Sequence, residues 1–406
     1  MKKILSLFLC CLMVLTLTGC GGSSGDDITT YTYSSELDIK NLDSSDADDG
    51  CSLKAIHAVI DGLTKTDKKG NIVNAVAKSE ELSEDGLTHT YKLRKDVKWT
   101  NGDPVTAHDF VYAWQRIFRK KGSYYYMFAD GIASIEGAQE LSDKIDAGEE
   151  LTDDDLNSMG VKAIDDYTLE VKTTVRVSFF DELMAFPCFF PINEKFCEKQ
   201  GDKYGKSAKA ILGNGAFIMT NWEPGSIAEF KKNDDYYEAK TVKIEKLVMK
   251  LVQDPKVAAQ SFMAGETDYA PITSDLVDKY KDDESFKQVP EGFLYYLSVN
   301  FQNEDLANAN IRQAVSFSIN RKDLCEKVLK DGSSAATGFI PKGVATSPDG
   351  KDFREESGTY ITYSQSKAQQ ALDRGLKELG KSEIKLRITY GTDESPMDVI
   401  ATYLQN

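Results

Sequence analysis

Three histidines, His57, His89 and His108, and seven cysteines have the widest chemical range of any residues in this sequence. Zinc sites and nucleophilic catalysis both need such residues at close, patterned spacing. The histidines stand far apart, and no C-x-x-C pair occurs. Gly21-Gly22-Ser23-Ser24-Gly25 spells the hydrolase pattern G-x-S-x-G, but no strand precedes it and no helix follows, so the sharp turn that exposes a nucleophile is not expected. Asp153-Asp154-Asp155 lacks the alternating ligands, the glycine and the closing glutamate of a calcium loop, and reads as a solvated loop and helix start. No catalytic residue, metal ligand or cofactor is assigned. A secreted hydrolase, which would need a nucleophile with a base and an orienter or a metal, is disfavoured.

Periodicity places the secondary-structure elements. From Thr88 to Arg94 the residues alternate, putting His89, Tyr91 and Leu93 on one side of a strand, where His89 is a packed or surface residue. Asn101-Gly102 marks a tight turn. Thr106 and Asp109 then stand at N-cap and N3 spacing before Phe110, Val111, Trp114, Ile117 and Phe118, which recur with helical period. Further strands are predicted at 167–173, 216–220, 227–231, 246–252 and 294–301, with helices at 311–319, 322–330 and 366–379. At the C-terminus Ile384, Leu386, Ile388 and Tyr390 alternate as a strand, and Ser395-Pro396 starts a helix carrying Val399, Ile400, Tyr403 and Leu404. A βα unit calls for a partner strand, so a further C-terminal portion is expected. The mixture of strands and helices without strict alternation predicts α/β or α+β architecture in two or three domains.

The chain has a formal net charge of −16, which disfavours nucleic acid as a partner. Lys2 and Lys3 precede an apolar run from Ile4 to Leu17 that is too short for a comfortable membrane span and reads as a secretory leader. It ends Leu17-Thr18-Gly19-Cys20, which resembles the lipobox of bacterial lipoproteins. That resemblance implies lipidation of Cys20 after removal of residues 1–19, with residues 20–27 as a flexible tether to the extracytoplasmic face of the membrane. Cys51, Cys188, Cys197 and Cys325 remain in the body, and Cys188 and Cys197 either bridge or stand as single buried thiols.

Ordered segments along the chain carry a wider resemblance. They include Leu42-Asp43, Asp61-Gly62-Leu63, 83–88, 93–99, 101–107, Asp109-Phe110-Val111-Tyr112-Ala113-Trp114, 160–166, Asn214-Gly215-Ala216-Phe217, Lys232-Asn233, 264–269 and Ile311-Arg312-Gln313-Ala314-Val315. In this order they are similar to the oligopeptide-binding lipoproteins of ABC importers, the family 5 peptide/nickel class of extracellular solute-binding proteins.

The resemblance implies a two-lobed clam of the type II, cluster C periplasmic-binding-protein-like fold with an extra inserted domain. Domain I would be 28–62 and 162–268, domain II the insertion 63–161, and domain III 269–406. Short peptides would be the ligand, permease subunits and the membrane the partners, and the protein a monomer. The residues implied at the ligand are Asp48, Asp49 and Gly50 in the loop after Leu42-Asp43, the aromatic Tyr125, and Tyr295, Tyr296 and Asn300 on the strand leaving the hinge. The family's Asp that meets the peptide α-ammonium has no matching segment between residues 1 and 406, so domain III is expected to be C-terminally incomplete. Alternative readings are a related binder of nickel, a haem-like ligand or an oligosaccharide, and a shortened product without transport activity.

Overall fold

The computed structural model describes residues 29–405 apart from 273, 290, 291, 348 and 392–395. The leader, the tether, Cys20 and the expected cap at Ser395 lie outside the described residues. Residues up to Pro271 form one compact unit and those from Ile272 onward a second.

The strands, in chain order, are β1 (Thr30–Ser35), β2 (Thr64–Thr66), β3 (Ile72–Asn74), β4 (Ala77–Leu82), β5 (Thr88–Leu93), β6 (Val161–Asp165), β7 (Thr168–Lys172), β8 (Phe217–Glu223), β9 (Ile227–Lys232) and β10 (Lys246–Leu251). One sheet of the first unit runs β1-β10-β9-β8, with β1 parallel to β10 and the rest antiparallel. Ala228 and Phe230 alternate inward on β9, as a half-buried strand requires. A bulge between Met219 and Asn221 breaks the register of β8 against β9, a device that blunts an edge against stray pairing.

The second sheet runs β4-β5-β7-β6, antiparallel throughout. Its strands β6 and β7 come from beyond residue 160 and pair back onto β5 through β7. Tyr91, Leu93, Val161, Leu169 and Val171 form its buried face. His89 shares that face, stacked on Phe180 at 4.2 Å between ring centroids, with Nδ1 2.6 Å from Glu80 Oε1.

Helix Ala107–Lys120 carries the core of this half of the unit. It starts as predicted, with the Thr106 N–H donating to the Asp109 carboxylate at 2.7 Å. Phe110, Trp114, Ile117 and Phe118 are buried. The Trp114 indole N–H donates to the Phe189 carbonyl at 3.0 Å, and its ring meets Phe128 and Phe189 edge-on.

A polar knot ties Asp61 and Lys65 to the segment that follows β9. The Tyr236 and Tyr237 hydroxyls both donate to Asp61 Oδ2, at 2.7 and 2.6 Å. Lys65 donates to both tyrosine oxygens and pairs with Glu238. Cys188 and Cys197 are buried free thiols, which settles the alternative left open by their spacing.

In the second unit, helices Ala309–Ser318 and Gln365–Leu379 pack together, with Gly375 giving Ile311 room for close approach. Glu378 accepts from the Asn308 and Asn310 side-chain amides. The helix expected over 322–330 is a short turn, Arg321–Asp323, followed by a wide π-helical segment, Leu324–Leu329. The strands expected at 294–301 and 384–390 are not formed. Alternation marks two faces, but a strand also needs a hydrogen-bonded neighbour, and among the described residues neither segment has one.

Two outcomes follow for the first unit. Trp114→Ala removes a fully buried ring and its hydrogen bond and is expected to lower the unfolding free energy by ~3–5 kcal/mol, read by urea denaturation; a loss below about 1 kcal/mol would contradict this packing. Burial pushes the Asp109 carboxyl up from its ordinary 3.8 to about 6, against the hydrogen bonds from Thr106 and Trp99 that favour its charged form. Its contribution to stability is therefore complete below the unfolded value and is lost as pH rises through about 6. Asp109→Asn, which does not titrate, should gain on the wild type by on the order of 2 kcal/mol between pH 4 and 7; a pH-independent difference would refute the assignment.

Candidate ligand-binding site

The loop after Leu42 is shaped by one carboxylate. Asp43 Oδ1 accepts from the Ser45 N–H at 3.1 Å, and the Asp43 carbonyl accepts from the Asp46 and Ala47 N–H groups at 2.9 and 2.8 Å. Arg116, on helix Ala107–Lys120, grips the same carboxylate with both teeth of its guanidinium, at 2.7 and 2.8 Å. Both side chains are buried, Asp43 at 3% and Arg116 at 8% exposure. Burial favours the neutral form of Arg116, but the Asp43 hydrogen bonds and charge raise its proton affinity above the ordinary value. The Tyr204 ring lies 5.3 Å from the guanidinium carbon.

Two glycines let neighbouring chain approach this loop. A Cβ on Gly122 would stand 1.8 Å from the Ser45 carbonyl oxygen, and one on Gly205 would stand 2.4 Å from the Asp43 nitrogen. Past Gly122, the Ser123 hydroxyl donates to Asp48 Oδ2 and the Tyr124 hydroxyl to the Asp48 carbonyl, each at 3.4 Å. Tyr124 packs edge-on against Phe186, and Tyr126 beside it is exposed. The result is an open corner in which a carboxylate, a hydroxyl and two aromatic rings from distant parts of the sequence stand together.

The residues singled out from sequence take different places. Asp48 is exposed at this corner. Asp49 is the N-cap of helix Gly50–Val59, accepting from the Ser52 N–H at 2.9 Å and the Ser52 hydroxyl at 2.6 Å. Gly50 opens that helix, with nothing within 4 Å of where a Cβ would stand. Tyr125 lies tilted beside Phe118 and donates to Asp146 Oδ1 at 2.6 Å, an interaction that raises its hydroxyl above the ordinary range. Its neighbour Tyr124 is the ring whose hydroxyl reaches Asp48. Ser123, Tyr124 and Arg116, which the geometry brings to this corner, were not singled out from the sequence; the helical spacing of Arg116 to Ala113 and Lys120 gave no sign that a charged residue would turn inward.

In the second unit Tyr295 and Tyr296 are 63% and 69% exposed, with Tyr296 near Phe339 at 5.9 Å between ring centroids. The Asn300 side-chain oxygen accepts from the Gln302 N–H at 3.0 Å. Among the described residues no group of His, Cys, Asp and Glu is arranged to hold a metal ion, and no helix is long and apolar enough to cross a membrane.

Residues 71–406 match the family model of bacterial extracellular solute-binding proteins, family 5 Middle. The chain is 33% identical over 342 residues to the dipeptide-binding protein DppE of Bacillus subtilis, covering 84% of this chain and 61% of that protein. It is 31% identical over 406 residues to a dipeptide-binding protein of Lactococcus lactis, covering 96% and 72%. The chain thus spans less than two thirds of the Bacillus relative's length. Among solved structures, Listeria monocytogenes OppA bound to peptide superposes with a TM-score of 0.74 at 30% identity, covering 94% of this chain and 74% of that one. The pheromone receptor PrgZ gives 0.78 at 27% identity, covering 93% and 74%. With the α/β fold of the two-lobed OppA-type proteins and a family match over most of its length, the chain belongs to the family 5 bacterial extracellular solute-binding proteins, which bind solutes and are not enzymes.

Proposed function

We propose that this protein captures short peptides outside the cell membrane and hands them to the permease of an ABC importer, tethered through a lipid on Cys20 and acting as a monomer. The observation that carries the reading is the Asp48 corner, built from two distant segments in a chain 30% identical to a peptide-bound relative. An exposed carboxylate beside a hydroxyl and aromatic rings suits varied peptide side chains. The open helix start at Gly50 suits peptide backbone, whose recognition tolerates sequence because every peptide offers the same N–H and C=O groups. Ordered water would fill the spaces left by small side chains.

Within this reading Asp48, the Gly50 backbone and Tyr124 meet ligand. Asp49 and Tyr125 support them, one through the helix cap and the other through Asp146. Tyr295, Tyr296 and Asn300 are the proposed ligand residues of the second unit. The proposed division keeps domain I at 28–62 and 162–268, domain II between them, and domain III from 269.

Native mass spectrometry of the protein purified from peptide-rich medium should show small adducts that fragment as peptides. By calorimetry, Asp48→Asn and Tyr124→Ala should each weaken a bound peptide ~10-fold, about 1.4 kcal/mol, with Tyr125→Phe changing affinity less. Unchanged affinity in Asp48→Asn would remove that carboxylate from the site, and absence of any peptide complex would overturn the peptide reading. Cys20→Ser should abolish incorporation of labelled palmitate and release the protein from membranes; membrane retention in that variant would refute the lipid tether.

A further inference from the structure

The Asp48 corner is assembled across a seam. Asp48 lies on the loop that Asp43 folds, whereas Ser123 and Tyr124 follow the helix that carries Arg116. The bond that directly joins these two segments below the corner is the bidentate Asp43–Arg116 pair. We infer that this buried pair is a positioning device for the ligand corner, setting peptide affinity through the placement of Asp48 without touching the peptide; the inference rests on the peptide reading above.

Geometry separates this role from general stabilisation. Asp43 uses its carboxylate on Ser45 and Arg116 and its carbonyl on Asp46 and Ala47, so the turn leading to Asp48 and the grip on the helix share one residue. A guanidinium fork fixes a carboxylate in both distance and plane, which a point charge does not. The contacts that hold Asp48 itself are long, 3.4 Å from both Ser123 and Tyr124, too weak to set the loop alone. A buried ion pair can often be replaced by apolar residues of similar volume with little loss of stability, so a double replacement separates positioning from stabilisation.

The test uses the full chain, with the double variant Asp43→Leu/Arg116→Met and the single variant Arg116→Lys. Two readouts are needed: hydrogen exchange of residues 44–50 without ligand, and peptide affinity by calorimetry. The double variant should keep a cooperative urea transition, while exchange over 44–50 speeds up and affinity falls, each ~10-fold, with helix 107–120 still protected. Arg116→Lys, retaining the charge but not the fork, should fall between wild type and double variant in both. Wild-type exchange over 44–50 in the double variant, or faster exchange with unchanged affinity, would overturn the inference. Should the double variant not fold, Arg116→Lys decides, because its exchange and affinity must shift together. If the wild-type chain binds no peptide, the peptide reading falls by itself and exchange over 44–50 alone decides whether the pair positions the corner.

Discussion

A buried carboxylate and a buried guanidinium hold the loop after Leu42 against helix Ala107–Lys120. Removing an ion from water costs several kcal/mol, so neither Asp43 nor Arg116 is tolerable there without the other. The need for a partner is local and directional: Asp43 must find Arg116 at 2.7 and 2.8 Å, and the loop from Asp43 to Gly50 is confined to paths that permit it. The close approaches at Gly122 and Gly205 follow, because a side chain at either would drive the loop away from the charge. The conformation of the exposed face is therefore set from below, by groups that solvent scarcely reaches.

Asp61 applies the same constraint elsewhere. Two tyrosine hydroxyls point at one of its oxygens, and burial, followed by the nearby carboxylate, holds both hydroxyls well above the ordinary phenol range. They stay protonated donors across the physiological range, and Lys65 completes the network by donating to both. The chain from Asp61 to Lys65 is thereby fixed to the segment that follows β9. Aromatic packing around Trp114 supplies nonpolar burial, but it lacks the directionality of these charged knots.

Much of this fold was legible because its signals are local. The Thr106/Asp109 spacing announced a helix start that forms as a capping box, and alternation from Thr88 to Leu93 put Tyr91 and Leu93 inside as expected. The site was legible only in outline. Asp49 reads as a loop acid until helix Gly50–Val59 is seen to begin after it, since a helix with little acidic patterning gives no early notice of its cap. Tyr125 was singled out by its resemblance to a family aromatic, and only the 3₁₀ turn Tyr125–Phe128 decides that the Tyr124 hydroxyl reaches Asp48 while that of Tyr125 reaches Asp146. Arg116 was invisible for a different reason: its partner lies 73 positions away.

The second unit shows where such signals stop. The alternation at 294–301 and 384–390 specifies two faces, and a face is a property one segment can encode alone. A ladder is shared, and its other half has to be present at the right register. Without one among the described residues, Phe293, Tyr295, Tyr296 and Phe301 remain largely exposed, although their residue types favour burial in a sheet. The same rule governs the Asp43 loop and these segments: sequence states what a group requires, and the structure formed depends on whether a partner meets that requirement. Arg116 meets it for Asp43, so the first unit has a shaped corner, whereas among the described residues the segment carrying Tyr295 and Tyr296 has aromatic surface without a ladder to hold it in register.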